Sequence, residues 1–418
     1  MHGGIKSLVV LVLASGLASC SSAPVGNQRF AGLASPEILA KASLQYYWDV
    51  PLTLDKDERI LHLYRLDENL YAVTDQNRLA AIDASNGMLK WIATVDDPGQ
   101  PIFRPIHVDS LALSEKAPSI GEMLGANRSA SITPFNAVLI NSINYVAIFD
   151  RSSGRLVRKM NFNSPATSAG ACDGMMYVIA SSRNWATCYR LNEAVQIWTE
   201  GLDGGVAAPV RNLHNRFYVG TDQGTFYGIQ NLGQSPRLLW SLKLTGPCMS
   251  AFVADRRGCF VPCMDNRLYA FDPATGTPLW DPFVCQGPLA EPCQLTEKSL
   301  FQYAQGDRFY NIDVANGRMR WTSRDGRKVL AIMNDEAYVL DAANRLQIID
   351  EMLGKPRTVI PMTGMDVFLA NTAVPAIYAA TREGKIICIR TADASVLTKE
   401  QLKPAALTTK PASAPTAP

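Results

Sequence analysis

The chain has 418 residues, with 40 Lys+Arg against 38 Asp+Glu and a formal net charge of +2. So balanced a surface offers no basic field for a nucleic acid, which argues against a DNA or RNA partner. The length exceeds that of a usual single domain, but a closed all-β architecture can reach it as one unit.

From the start of the chain, Lys6 and the apolar run at 8–13 (LVVLVL) read as an export signal. The run is far shorter than the roughly 20 residues that a bilayer-spanning helix needs. Leu17-Ala18-Ser19-Cys20 follows and resembles the bacterial lipobox. The expectation is a signal peptide over 1–19 and cleavage before Cys20, which becomes the lipidation site and the link to a membrane. Acyl chains contribute about 0.8 kcal/mol per buried CH₂, and two or more anchor stably. Ser21 rather than Asp follows the Cys, and by resemblance to the enterobacterial sorting rule this implies the outer membrane, on its periplasmic face. Residues 20–43 form a lipidated tether with a short helix at 35–43 (SPEILAKAS), where Ser35 caps and Pro36 takes the first helical position.

A strand at 44–50 (LQYYWDV) then carries Trp48 with no turn motif before it. Repeats fill the rest. The clearest are AAIDASNGMLKW (80–91), VAIFDRSSGRLVRK (146–159), YAFDPATGTPLW (269–280) and YNIDVANGRMRW (310–321). Asp83, Asp150, Asp272 and Asp313 each precede a glycine by four residues, at Gly87, Gly154, Gly276 and Gly317, and three copies end in Trp91, Trp280 and Trp321. Weaker copies hold Asn192 with Trp198, Gln230 with Trp240, and Asp350 with Gly354 but Thr358 in the Trp slot; 386–394 is truncated. The Asp-slot positions are 83, 150, 192, 230, 272, 313, 350 and about 391, so most steps are 37 to 42 residues and the first is 67.

A period near 40 with short alternating strands marks a propeller blade of four antiparallel strands. Asp opens a turn through its own backbone, Gly accepts positive φ, and Trp packs between blades. These residues are therefore structural. The last copy lacks an outer strand and 44–50 lacks a blade, so the N-terminal strand, with Trp48, should close the ring. The expected fold is all-β: an eight-bladed propeller over 44–396, with an insertion at about 97–133 and a short helix near 120–124. Long insertions on rigid scaffolds often carry specificity. Residues 397–418 are Pro/Ala-rich and expected to be disordered.

Eight cysteines besides Cys20 are compatible with disulfides in an oxidising compartment, or equally with small buried hydrophobes. Cys259 and Cys263, if on one strand, stand about 13 Å apart and cannot bond each other. His62, His107 and His214 show no metal-ligand spacing. No catalytic, metal or cofactor residues are expected.

The repeat resembles the pyrroloquinoline-quinone-type propeller repeat across about 44–394, most closely at Tyr269–Gly276 with Trp280. With a lipobox and eight blades, the chain is similar to the BamB family of outer-membrane assembly lipoproteins. That resemblance implies a non-catalytic, monomeric ring that docks protein partners of the β-barrel assembly machinery. A periplasmic or surface propeller binding a ligand or polysaccharide is the alternative. Quinone-dependent dehydrogenases share the repeat but rank third, because their vicinal Cys-Cys pair is missing here.

Overall fold

Each repeat folds into four antiparallel strands joined by tight turns, and eight such sheets account for every strand among the described residues. The computed structural model describes residues 30–113 and 133–402. The expected export signal, the expected lipidation site Cys20, the expected tether as far as residue 29, the helix expected near 120–124 and the chain from 403 lie outside them. Blade 1 runs from Ile60–Leu66, its innermost strand, to Leu89–Thr94, its outermost. Blades 2 to 7 repeat the pattern through Pro356–Pro361.

The second and third strands of each blade are buried along most of their length, and Asn69–Thr74 and Met176–Ser181 wholly so. Sheet faces therefore stack against neighbouring sheets around the ring. The core is a series of clusters between blades rather than one central mass: Tyr71, Ala81 and Trp91 of blade 1, for instance, pack with Val138 and Phe149 of blade 2.

Blade 8 is assembled from both ends of the chain. Its strands Val367–Phe368, Ile377–Ala380 and Lys385–Thr391 are completed by Leu44–Pro51, in the order expected for a closed ring. The pairing runs from Leu44↔Thr391 to Pro51↔Lys385, with a bulge between Tyr46 and Trp48. The helix Pro36–Lys41, capped by Ser35, packs Leu39 beside Leu340 and Ile348 of blade 7 and Ile377 of blade 8.

Two expectations need correction. The stretch 97–133 is not one insertion, since Ile106–Leu111 is the innermost strand of blade 2. The extra length follows that strand and lies largely outside the described residues, and the IHVDSL strand is too polar and too short to show clear alternation. Residues 397–402 do not belong to a disordered tail. Lys399–Leu402 is helical, Leu397 and Leu402 are buried, and both sit in the cluster of Trp48 and Leu63, so two apolar side chains outweigh the local composition. Of the two readings left open for the cysteines, the structure supports small buried hydrophobes: all eight described cysteines are free, seven of them buried, and Cys263 falls just past the strand Gly258–Pro262.

Candidate binding channel

The repeat residues lie in the seams between blades. Asp83 Oδ1 accepts the Ser85 amide at 2.9 Å, and Asp272 Oδ1 accepts those of Ala274 and Thr275 at 2.9 and 2.8 Å. Asp150, Asp313 and Asp350 do the same for their own turns. The glycine closing each turn has positive φ and faces the Trp of the preceding blade. A Cβ on Gly87 would stand 2.7 Å from the ring of Trp48, and one on Gly317 2.6 Å from Trp280. Gly154, Gly276 and Gly354 meet Trp91, Trp240 and Trp321 in the same way. Trp48 Nε1 donates to Ala84 O at 3.3 Å, Trp91 Nε1 to Arg151 O at 2.9 Å and Trp321 Nε1 to Glu351 O at 2.8 Å.

The motif thus works as a lock between blades, and the exceptions keep its logic. Trp198 donates to Asn231 Oδ1 at 3.1 Å in the longer turn of blade 4. In blade 2 the Trp slot holds Arg158, whose Nη1 donates to Leu191 O and Asn192 O at 2.8 and 3.1 Å. None of these residues reaches the channel.

The innermost strands, many only two or three residues long, line that channel. Gln294 bonds the backbone of Val329 through both amide atoms, at 2.7 and 2.8 Å. Thr372 Oγ1 donates to Leu295 O at 2.6 Å, and the Asn371 amide donates to Val329 O. Segment 369–373 is thereby drawn across blade 7 towards blade 6, closing that side. Two cavities remain open in the channel, one of about 450 Å³ bordered by blades 1, 2, 4, 5, 6 and 8 and one of about 380 Å³ bordered by blades 2 to 5. Arg104, Arg211, Phe252 and Val253 border both.

No acidic residue lines either cavity among the described residues, whereas Arg65, Arg104 and Arg211 do. Burial pulls the Arg211 guanidinium down to about 10, and the charge of Arg104 adds to the fall. Burial likewise lowers Arg104, against a smaller opposing pull from Tyr64. The Cys293 thiol on the wall is pushed up to about 12 by burial, so it stays protonated and unreactive.

Beside the smaller cavity, His107 joins a knot between blades 1 and 2. Its Nδ1 lies 2.7 Å from Asp67 Oδ2, and its Nε2 lies 2.8 Å from the Tyr71 hydroxyl, which also accepts from Asn69. A neutral ring donating from Nδ1 and accepting at Nε2 satisfies every partner. Burial lowers the His107 pKa despite the Asp67 bond, in keeping with that neutral form. Asp67, Glu68 and His107 could geometrically bracket a cation. Arg151 already supplies the charge, with Nη1 3.8 Å from both carboxylates, and both ring nitrogens are committed.

The repeat type implies a quinone and Ca²⁺ at the hub of the enzymes that share it. The residues here do not fit that pair, because arginines stand where oxygen ligands for a hard cation are required. The arginines escaped sequence analysis. The one available signal was an Arg beside an inner strand in both FRPIHV and VRNL.

Comparison with known proteins places the chain. The sequence profile of the family described as outer membrane protein assembly factor BamB matches residues 143–294 and 264–414. No curated protein matches the sequence significantly. Among solved structures, BamB from Moraxella catarrhalis superposes with a TM-score of 0.59 at 12% identity, covering 84% of this chain and 99% of that one. The computationally designed protein Ika8 superposes with a TM-score of 0.58 at 11% identity, covering 80% and 96%. A match to a designed ring as good as the match to a natural one shows that these superpositions report fold alone.

Proposed function

The chain belongs to the family of the outer membrane protein assembly factor BamB, and from that premise we propose that it is a non-catalytic propeller scaffold for protein–protein interaction in outer-membrane protein assembly. The observation carrying the reading is the family match across the ring's second half and beyond, from 143 to 414. The chemistry of the hub supports it too: burial raises the Cys293 thiol, His107 is tied on both nitrogens, and no carboxylate among the described residues lines the cavities. We assign the anchor to Cys20, lipidated after removal of 1–19, with the ring held at the periplasmic face of the outer membrane. No helix among the described residues is long and apolar enough to cross a membrane.

Crosslinking in intact cells followed by affinity recovery of the full-length protein tests the partner. Recovery of β-barrel assembly components is expected; recovery of a polysaccharide or an unrelated complex instead would replace the scaffold reading with the ligand-binding one. Incorporation of labelled fatty acid, lost in Cys20→Ala, tests the anchor. Dye reduction on adding quinone and Ca²⁺ with alcohols or sugars would overturn the non-catalytic assignment.

A further inference from the structure

The open sector of the channel carries two guanidinium groups that no carboxylate among the described residues neutralises. Arg104 lies in the connection leading into the innermost strand of blade 2, and Arg211 opens the innermost strand Arg211–Leu213 of blade 4. Both border the larger and the smaller cavity, so they face one shared space. The Arg104 guanidinium carbon stands 5.9 Å from the Tyr64 ring centre. Arg211 Nε donates to Phe252 O at 3.3 Å, which leaves its two Nη groups for another partner.

Several arginines elsewhere in this fold have a carboxylate partner. Arg78 meets the fully buried Glu58 at 2.8 Å, Arg151 meets Asp109 at 2.5 Å, and Arg320 meets Asp313 at 2.6 Å. The third channel arginine, Arg65, spends its Nη1 on the carbonyls of Asp67 and Leu402, both at 2.8 Å. Arg104 and Arg211 are the pair left with donors aimed at an apolar-walled space. Withdrawn charges of one sign without a counter-charge are costly, and an anion seated between them removes that cost.

We propose that the open sector of the channel binds a small organic carboxylate, its anionic group bridging Arg104 and Arg211 and its apolar body lying against Phe252, Val253 and Leu369. The planar fork of each guanidinium matches a carboxylate edge, which favours this class over a divalent cation or a neutral solute. A space of about 450 Å³ lies within the range of small-molecule sites, roughly 300–1,000 Å³. The site is independent of the scaffold reading, because a loaded ring can still dock proteins.

Isothermal titration and thermal melting of the full-length protein with isophthalate test the site, with isophthalamide as the neutral analogue and inorganic phosphate as the compact anion. Isophthalate is expected to bind saturably and raise the Tm, the diamide to do neither, and phosphate to bind more weakly. Arg211→Gln and Arg104→Gln should each weaken isophthalate by about tenfold to a hundredfold, the range for a lost charged hydrogen bond. Arg211→Lys, which keeps the charge but loses the fork, should fall between. Without ligand, Arg104→Gln should leave the Tm unchanged or raise it, since it relieves repulsion. A lowered Tm there with no response to anions marks the pair as structural and overturns the proposal. So do phosphate binding tighter than isophthalate, and isophthalate binding indifferent to the Gln variants.

Discussion

Blade 6 and blade 8 have the same four-stranded form but are made in opposite ways. Blade 6 takes all its strands from one stretch, Gln294–Leu295 to Met319–Ser323, and its outer pair, ending Ile312↔Met319, closes through a local turn. Blade 8 must bring Leu44 to Thr391, a separation of 347 positions, to complete the same sheet. Loop entropy alone makes that contact on the order of 3 kcal/mol more costly than a ten-residue hairpin.

The extra cost is met locally, by contacts that blade 6 lacks. The closing ladder holds seven registered pairs where the outer ladder of blade 6 holds four. Phe30 stacks on Tyr46 with centroids 3.8 Å apart, and the Tyr46 hydroxyl donates to Ala34 O at 2.5 Å. Arg357 Nη2 reaches Ala42 O at 3.1 Å, and the Ala392 amide donates to Ser43 O at 2.9 Å. On the blade 1 side, Arg65 holds the carbonyl of Leu402, and Arg390 lies 4.9 Å from the Tyr47 ring centre. Both terminal helices therefore flank the seam that a long loop would otherwise leave weakest.

The contrast can be broken most severely by deleting 44–51. The full chain without that strand is expected to lose its cooperative melting transition and elute as aggregate; a monomer with the parent Tm would show that closure is dispensable. Next in size, Trp48→Ala and Trp321→Ala should each cost about 3–5 kcal/mol by the usual figure for a buried aromatic. Trp48→Ala should also speed unfolding more, in denaturant-jump kinetics, because it loosens the only non-local seam; equal rates would remove the distinction. Gly87→Ala and Gly306→Ala separate packing from backbone strain, since φ is +77° and +75° but only Gly87 faces a Trp ring. Gly306→Ala should cost about 1–2 kcal/mol, and Gly87→Ala a further 1–3 kcal/mol from overpacking, both read from chemical denaturation.

The smallest effect concerns pH. Burial holds the His107 pKa below its ordinary 6.5, so on acidification the unfolded chain takes up the proton first. Its contribution is complete above that value and is lost as pH falls below it, at a slope under about 1.4 kcal/mol per pH unit. Asp67, also lowered because its hydrogen bond and charge partners outweigh burial, extends the loss below its ordinary 3.8. Stability curves from pH 7.5 to 5 should show a slope that His107→Asn removes; an unchanged slope would assign it to other groups, His62 first, which burial also lowers.

Blade number and closure could be read from the sequence because the lock residues are chemically distinctive. Asp, Gly and Trp recur at fixed offsets since a turn, a positive φ and a ring contact each admit few alternatives. Where another group satisfies the same contact, as Arg158 does for Trp, the pattern fades although the seam persists. The channel was hidden for a related reason. Ala171–Cys172, Gln294–Leu295 and Val367–Phe368 are inner strands of two residues, too short to show any periodicity. Arg104 and Arg211 come together only through ring closure, across 107 positions. The buried Leu397 and Leu402 were masked by a Pro/Ala-rich setting that says nothing about two well-placed side chains.

The bulged strand that carries Trp48 emerges from the ribosome ahead of every blade, yet its hydrogen-bonding neighbour Lys385–Thr391 is synthesised almost last. Throughout synthesis it remains an orphan ribbon with an apolar side chain and open amides, the kind of edge that recruits foreign strands. The maturation clock of this protein is thus set by its final blade, and escorts that shield such edges before folding is complete should matter more to it than to a chain whose sheets each finish as they are made.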